Sequence, residues 1–192
     1  TTYTVDIEQH ASCTATIPIT VNTLALPSVS AGSDNSVCIG SSFNLSATGA
    51  STYLWTPTAT LSDSAIANPV ATPTTITTYV VAGTDVNGCT NTDTITISIN
   101  ALPTINAGND TVLCVGDTLQ LNGSGGSTYS WSPSTGISNA NIASPYLVVS
   151  ANETFTLTGT DANGCQNTDQ ITVTANQVPG LNVLGLPAII CL

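Results

Sequence analysis

The sequence predicts an all-β chain of tandem antiparallel β-sandwiches in a linear array. Three observations carry this: a fixed internal interval, a period of two in apolar residues, and turn residues where helix signals would otherwise stand. The stretch DVNGCTNTDTITISIN (85–100) returns as DANGCQNTDQITVTAN (161–176). Its cysteines give the interval, since 165 − 89 = 76 and 89 − 13 = 76. Pro27, Pro103 and Pro179 keep the same step, as do Cys38 with Cys114, Tyr53 with Tyr129, Trp55 with Trp131, Pro57 with Pro133 and Pro69 with Pro145. Residues 1–25 therefore read as the C-terminal part of one repeat, 26–101 and 102–177 as whole repeats, and 178–192 as the start of another. Cys191 answers Cys114 with one residue inserted, 191 − 114 = 77. Ends that fall within repeats suggest a window of a longer polypeptide.

Each whole repeat divides into short strands. FNLSAT (43–48) and STYLWT (51–56) make one pair of strands, and SPYLVVS (144–150) follows a proline-bounded loop in the second repeat. TTYVVAGTD (77–85) and TDTITISI (92–99) make a hairpin, with Ile95, Ile97 and Ile99 on one face and threonine or serine on the other. The Asn87-Gly88 pair between them predicts a type I′ turn, which needs positive φ at both positions. A helical period is absent. Roughly seven short strands in a repeat of this length make a small antiparallel sandwich. The linkers NALP (100–103) and NQVP (176–179) are short and contain proline, which leaves little freedom between repeats.

Composition bounds the function. The 192 residues contain no Lys or Arg, eleven Asp and Glu and one His, for a formal net charge of −11. Phosphate binding runs on cationic side chains, so nucleic acid is excluded as a partner, and an anionic membrane surface is excluded for the same reason. No apolar run approaches the length of a membrane span, so membrane insertion is not expected, and no signal peptide is present. Recurrent Val, Ile and Leu argue for a folded chain rather than a disordered one. Catalysis finds no support: there is no Lys or Arg, one unrepeated His and no Ser or Cys with a base partner in sequence; carboxylate pairs stay open, but an active site duplicated in each repeat would be unusual, and the chain is read as not an enzyme. His10, in the turn of the first partial repeat, has no counterpart at Val86 or Ala162 and reads as a solvated loop residue.

The segments AGSDNSVCIGSSFNL, YLWTP and NPVATPTTITTYVVAGTDVNGC, with AGNDTVLCVGDTLQL, YSWSP and ASPYLVVSANETFTLTGTDANGC, resemble the PKD-like or immunoglobulin-like tandem repeats of large Bacteroidota cell-surface proteins. Such repeats are similar to those of gliding adhesins and other type IX secretion substrates. The resemblance covers the whole sequence. It implies an immunoglobulin-like or PKD-like sandwich and an extracellular, bacterial cell-surface setting, without implying a ligand.

Against that frame Trp55 and Trp131 read as core, because a large aromatic on a central sandwich strand is usually buried; the alternative is a sugar-stacking platform. Tyr79 and Phe155 hold the tyrosine-corner position and read as packing. Asp34 and Asp110, Asp85 and Asp161, and Asp93 and Asp169 recur at the repeat interval, and of these Asp34, Asp85, Asp110 and Asp161 are the candidates to bind Ca2+ as a structural ion, since hard cations take loop oxygens. The competing reading is that Asp85 and its partner Asn87 shape a turn. No other cofactor is implied. The resemblance further implies O-glycosylation at Asp followed by Ser or Thr and an apolar residue, which fits Ser64, Thr94, Thr111 and Thr118.

The second cysteine of an immunoglobulin pair would stand at Val81, two residues after the corner tyrosine; here it has moved to the hairpin tip. Strands of six or seven residues separate the two ends of a sandwich by about 20 Å, whereas a disulfide needs Cα atoms within about 7 Å. A Cys38–Cys89 or Cys114–Cys165 bond within a repeat is therefore disfavoured. The preferred reading joins Cys38 to Cys165 between consecutive repeats and leaves Cys13, Cys89, Cys114 and Cys191 to pair outside these residues. Thiols that are free or crosslinked to another chain are the remaining alternative. The function expected is a non-catalytic extracellular stalk or filament, part of a bacterial surface adhesin, whose partners are neighbouring repeats of the same chain and other copies. A glycan- or calcium-binding module is the competitor, and exposure of Trp55 and Trp131 would favour it.

Overall fold

The computed structural model describes residues 2–10 and 13–177, with side chains considered from residue 17 onward. All regular structure among the described residues is β. The chain opens with a hairpin of β1 (Thr2–His10) and β2 (Cys13–Thr20), in register from Thr2 opposite Thr20 to Glu8 opposite Thr14 and irregular beyond Glu8. His10 is thus the last residue of a strand rather than a loop residue. The chain divides into two compact units at the boundary between Ile99 and Asn100, and this hairpin falls within the first.

The first unit holds β3 (Asn35–Cys38), β4 (Phe43–Asn44), β5 (Thr52–Thr56), β6 (Val70–Ala71), β7 (Thr77–Thr84) and β8 (Thr90–Asn100). One sheet has the order β3-β8-β7-β5; the facing sheet is β4-β6, extended by bridges from Ser30 to Thr48 and from Leu61 to Ala71. Alternation puts Tyr79 and Val81 of β7 and Ile95 and Ile97 of β8 against Leu45 and Ala71 of the facing sheet, with Trp55 between them. Burying these side chains from both sheets makes the pair an immunoglobulin-like sandwich.

The second unit repeats this with β9 (Thr111–Cys114), β10 (Thr118–Gln120), β11 (Thr128–Ser132), β12 (Tyr146–Val148), β13 (Glu153–Thr160) and β14 (Gln166–Asn176). Its sheets are β11-β13-β14-β9 and β10-β12, with bridges from Asn106 to Ser124 and from Ile137 to Leu147. Leu121, Leu147 and Val149 of one layer pack with Trp131, Phe155, Leu157, Ile171 and Val173 of the other.

Three details differ from the sequence expectation. The sheets are not wholly antiparallel: β9 runs parallel to β14, with Thr111 opposite Val173 and Cys114 opposite Asn176. The segment entering each unit bridges to one sheet at Ser30 or Asn106, then crosses and finishes beside the last strand of the other. Residues 43–48 and 51–56 do not pair with each other; β4 pairs with β6, and β5 with β7. The regular part of β4 stops at Asn44 although Leu45 and Ala47 still donate to Pro69 O and Ala67 O, because Pro69 has no N–H to return.

The third difference is the turn. Asn87 does not have positive φ, so the turn is not type I′. Gly88 N–H donates to Asp85 O and Asp85 N–H to Cys89 O, leaving Val86, Asn87 and Gly88 as a three-residue loop with Gly88 alone left-handed, at φ 82°. This is a type I turn closed by a glycine bulge. Asp85 selects it, because its Oδ1 accepts from both Asn87 N–H and Cys89 N–H, at 2.8 and 2.9 Å. Asp161 does the same for Asn163 and Cys165.

Candidate functional site

Two kinds of repeated residue stand apart from the core: cysteines at the two ends of each unit, and polar side chains along the edge of each last strand. In the second unit Cys165 sits just before β14, and Cys114 lies opposite Asn176 at the far end of that strand. Eleven residues at roughly 3.3 Å each put these ends about 36 Å apart. A strand of this length was not expected, and it widens the gap far beyond disulfide reach. Cys38 and Cys165 each take part in a disulfide, whereas Cys89 and Cys114 are free thiols. Bonds of Cys38 with Cys89 and of Cys114 with Cys165 are therefore excluded. Cys165 is fully buried, Cys89 half-buried and Cys114 exposed. The Cys13 side chain and all of Cys191 lie outside the described residues, as does the segment 178–192.

Along β8, Asn91 Nδ2 donates to Pro27 O, and Asp93 Oδ2 accepts from Ala31 N–H at 2.8 Å. Asp34 Oδ1 accepts from Thr96 N–H at 2.8 Å. Asn167, Asp169 and Asp110 make the same three bonds along β14, to Pro103, Ala107 and Thr172. The incoming segment is thus tied to the last strand by side chains where no backbone ladder joins them. The Ala31 N–H first, and then the Thr94 N–H, hold the Asp93 carboxyl below the ordinary carboxylate range, against an opposing desolvation. Ala107 and Gln170 act in the same way on Asp169. Asp93 and Asp169 were legible only as recurring acids, and the amides Asn91 and Asn167 were not singled out; recurrence of an amide at the same 76-residue interval, 167 − 91 = 76, is the signal that could have found them.

The residues considered for Ca2+ have structural duties: Asp85 and Asp161 close the turns, and Asp34 and Asp110 close the edge. Among the described residues no group of three or more His, Cys, Asp and Glu gathers as a metal site. Trp55 and Trp131 are 0% and 2% exposed, and each donates from Nε1 at 3.1 Å, to Ile66 O and Ile142 O. No indole face is open to a sugar. Tyr79 is fully buried with its hydroxyl 2.6 Å from Thr60 Oγ1; Phe155, also buried, lacks that hydroxyl, and Gly136 stands where Thr60 would. Of the hydroxyls considered for glycosylation, Thr94 and Thr118 are exposed, and Ser64 and Thr111 are half-buried. No helix among the described residues is long and apolar enough to cross a membrane.

No protein-family model matches the sequence, and no curated protein resembles it significantly. Solved structures that align with the chain include immunoglobulin, fibronectin(III)-like and cadherin domains. The Ig1 and Ig2 domains of DIP-gamma align at 11% identity and a TM-score of 0.34, over 78% of this chain and 98% of theirs. Fibronectin(III)-like modules of Clostridium thermocellum CbhA align at 13% and 0.38, over 78% and 94%. Immunoglobulin domains 1–4 of Sidekick-1 align at 14% and 0.38, over 91% and 58%. At these values the likeness says nothing of partner or activity.

Proposed function

We propose that the chain is a non-catalytic stretch of an extracellular stalk, built of PKD-like or immunoglobulin-like repeats stacked in line and belonging to a bacterial surface adhesin or filament of the Bacteroidota type IX kind. The observation that carries this reading is the cysteine pattern. Each whole repeat presents one cysteine at each end, some 36 Å apart by strand length, and the two that are disulfide-bonded, Cys38 and Cys165, come from opposite ends of different units. In this reading Cys38 is joined to Cys165, and Cys89 and Cys114 are the equivalent ends that meet preceding and following repeats. Such a bond persists outside the cell. Closing a loop of more than a hundred residues stabilises by roughly 4–5 kcal/mol on the chain-entropy account. A surface without Lys or Arg gives trypsin-like proteases no cleavage site.

Burial of both tryptophans favours the stalk over a glycan-binding module, and the backbone bonds to Asp34, Asp85, Asp110 and Asp161 favour it over a calcium module. Exposure leaves Thr94 and Thr118 the better placed of the glycosylation candidates, which an intact mass of native material checks. The deciding experiment is a non-reducing peptic map with mass spectrometry, run in acid so that disulfides do not exchange. A crosslinked peptide containing Cys38 and Cys165 is expected. A map that pairs Cys38 with any other cysteine overturns the splice.

A further inference from the structure

The last strand of each unit has an outer edge that its neighbour covers only in part. In the second unit β9 pairs with β14 from Val173 to Asn176, leaving the edge of residues 166–172 without a ladder partner. Alternate N–H groups of an edge strand point outward, and an uncovered row of them is a template for another strand. From Thr168 and Thr92 onward, the successive outward donors face side-chain oxygens. Thr168 N–H donates to Asn167 Oδ1 at 2.9 Å and Thr172 N–H to Asp110 Oδ1 at 2.7 Å, and between them the Asp169 carboxylate feels the Gln170 N–H, which helps to lower its pKa. Along β8 Thr92 N–H donates to Asn91 Oδ1 at 3.0 Å and Thr96 N–H to Asp34 Oδ1 at 2.8 Å, and the Asp93 carboxylate between them feels the Thr94 N–H in the same way.

We propose that these carboxylates and amides are edge blockers, which keep β8 and β14 from adding a strand of a second copy of this chain. The need is built into the sequence. Lysine, a usual blocker of edge strands, is absent, and every repeat carries nearly the same strand, so any copy supplies a matching partner. Besides occupying the donors, the acids place a negative charge beside an incoming backbone carbonyl. The same side chains tie residues 27–34 and 103–110 over the edge through Pro27 O, Ala31 N–H, Pro103 O and Ala107 N–H.

The test removes the blockers from the full chain with its free thiols alkylated. Asp34→Ala, Asp93→Ala, Asp110→Ala and Asp169→Ala together lose four charges and the acceptors. A control with Asp63→Asn, Asp85→Asn, Asp161→Asn and Glu153→Gln loses the same charge and keeps its acceptor oxygens. Sedimentation velocity is expected to show loss of the parent's boundary to larger species in the first variant only. Adding Thr92→Lys and Thr168→Lys is expected to restore that boundary, because lysine blocks an edge by another route. Should the fourfold variant fail to fold by circular dichroism, Asp34→Ala with Asp110→Ala is read in its place, since it frees only the Thr96 and Thr172 donors. A folded variant that sediments as the parent does, a control that associates equally, or association that survives the lysines would each overturn the proposal.

Discussion

At the scale of the residue, the two units differ in an instructive pair. A hydroxyl buried at Tyr79 is matched by Thr60, and where the hydroxyl is missing, at Phe155, the partner is missing too, at Gly136. A buried polar group costs about 1–3 kcal/mol when left unpaired, so neither half is tolerable alone. Phe155→Tyr is therefore expected to destabilise the second unit by about that amount and Tyr79→Phe the first, with a double-mutant cycle of Tyr79→Phe and Thr60→Val giving non-additive losses in urea unfolding. Asp93 and Asp169 give a pH dependence of fixed sign. Their folded pKa values lie below the unfolded one, so the unfolded state binds more protons in that range. Their stabilisation is present above the unfolded value of about 3.9 and is lost as pH falls through the lowered folded value. Acid unfolding of the Asp93→Asn, Asp169→Asn variant is expected to show a shallower loss below pH about 4 than the parent.

Individual elements depend on two kinds of glycine for different reasons. Gly49, at φ 90°, has Ser28 O where a Cβ would stand, and Gly125 has Thr104 O. Gly88, at φ 82°, has open space around it and only the left-handed backbone to sustain. Gly49→Ala is thus expected to cost roughly 3 kcal/mol or more, since backbone must move, whereas Gly88→Ala is expected to cost about 1 kcal/mol of conformational strain. Thermal melting of the two variants side by side checks the order; equal losses would mean that the close approach at Gly49 relaxes freely. The same comparison bears on the turn. A type I′ reading makes Asn87 left-handed, whereas the bulged turn leaves the requirement at Gly88 alone.

For the whole molecule, charge is the dominant constraint. Eleven acids face no Lys or Arg, so compaction brings like charges together with no lysine or arginine ion pair to offset them. Raising salt from about 0.01 to 1 M shortens the screening length from about 30 to 3 Å. The melting temperature is accordingly expected to rise with sodium chloride, opposite to the response of a fold held by surface salt bridges; a fall would contradict the repulsion argument. Polar needs are met instead by backbone N–H groups on carboxylates, bonds in which the charge strengthens the acceptor.

By itself the sequence determined the all-β class and the alternation of inward residues, which depend on composition and on neighbours one or two positions away, and the 76-residue repetition, which is read by laying the sequence against itself. The recurrence of Asp34, Asp93, Asp110 and Asp169 was equally visible in it. Their duty was not, because each acts on an N–H that tertiary folding brings beside it, 62 residues away in sequence. Only the tertiary structure decided that β9 runs parallel to β14, that Phe43 and Trp55 belong to different sheets, and that the turn hangs on Asp85. Strand partners are chosen by which faces can be buried together, a property of the packed whole that no local spacing encodes.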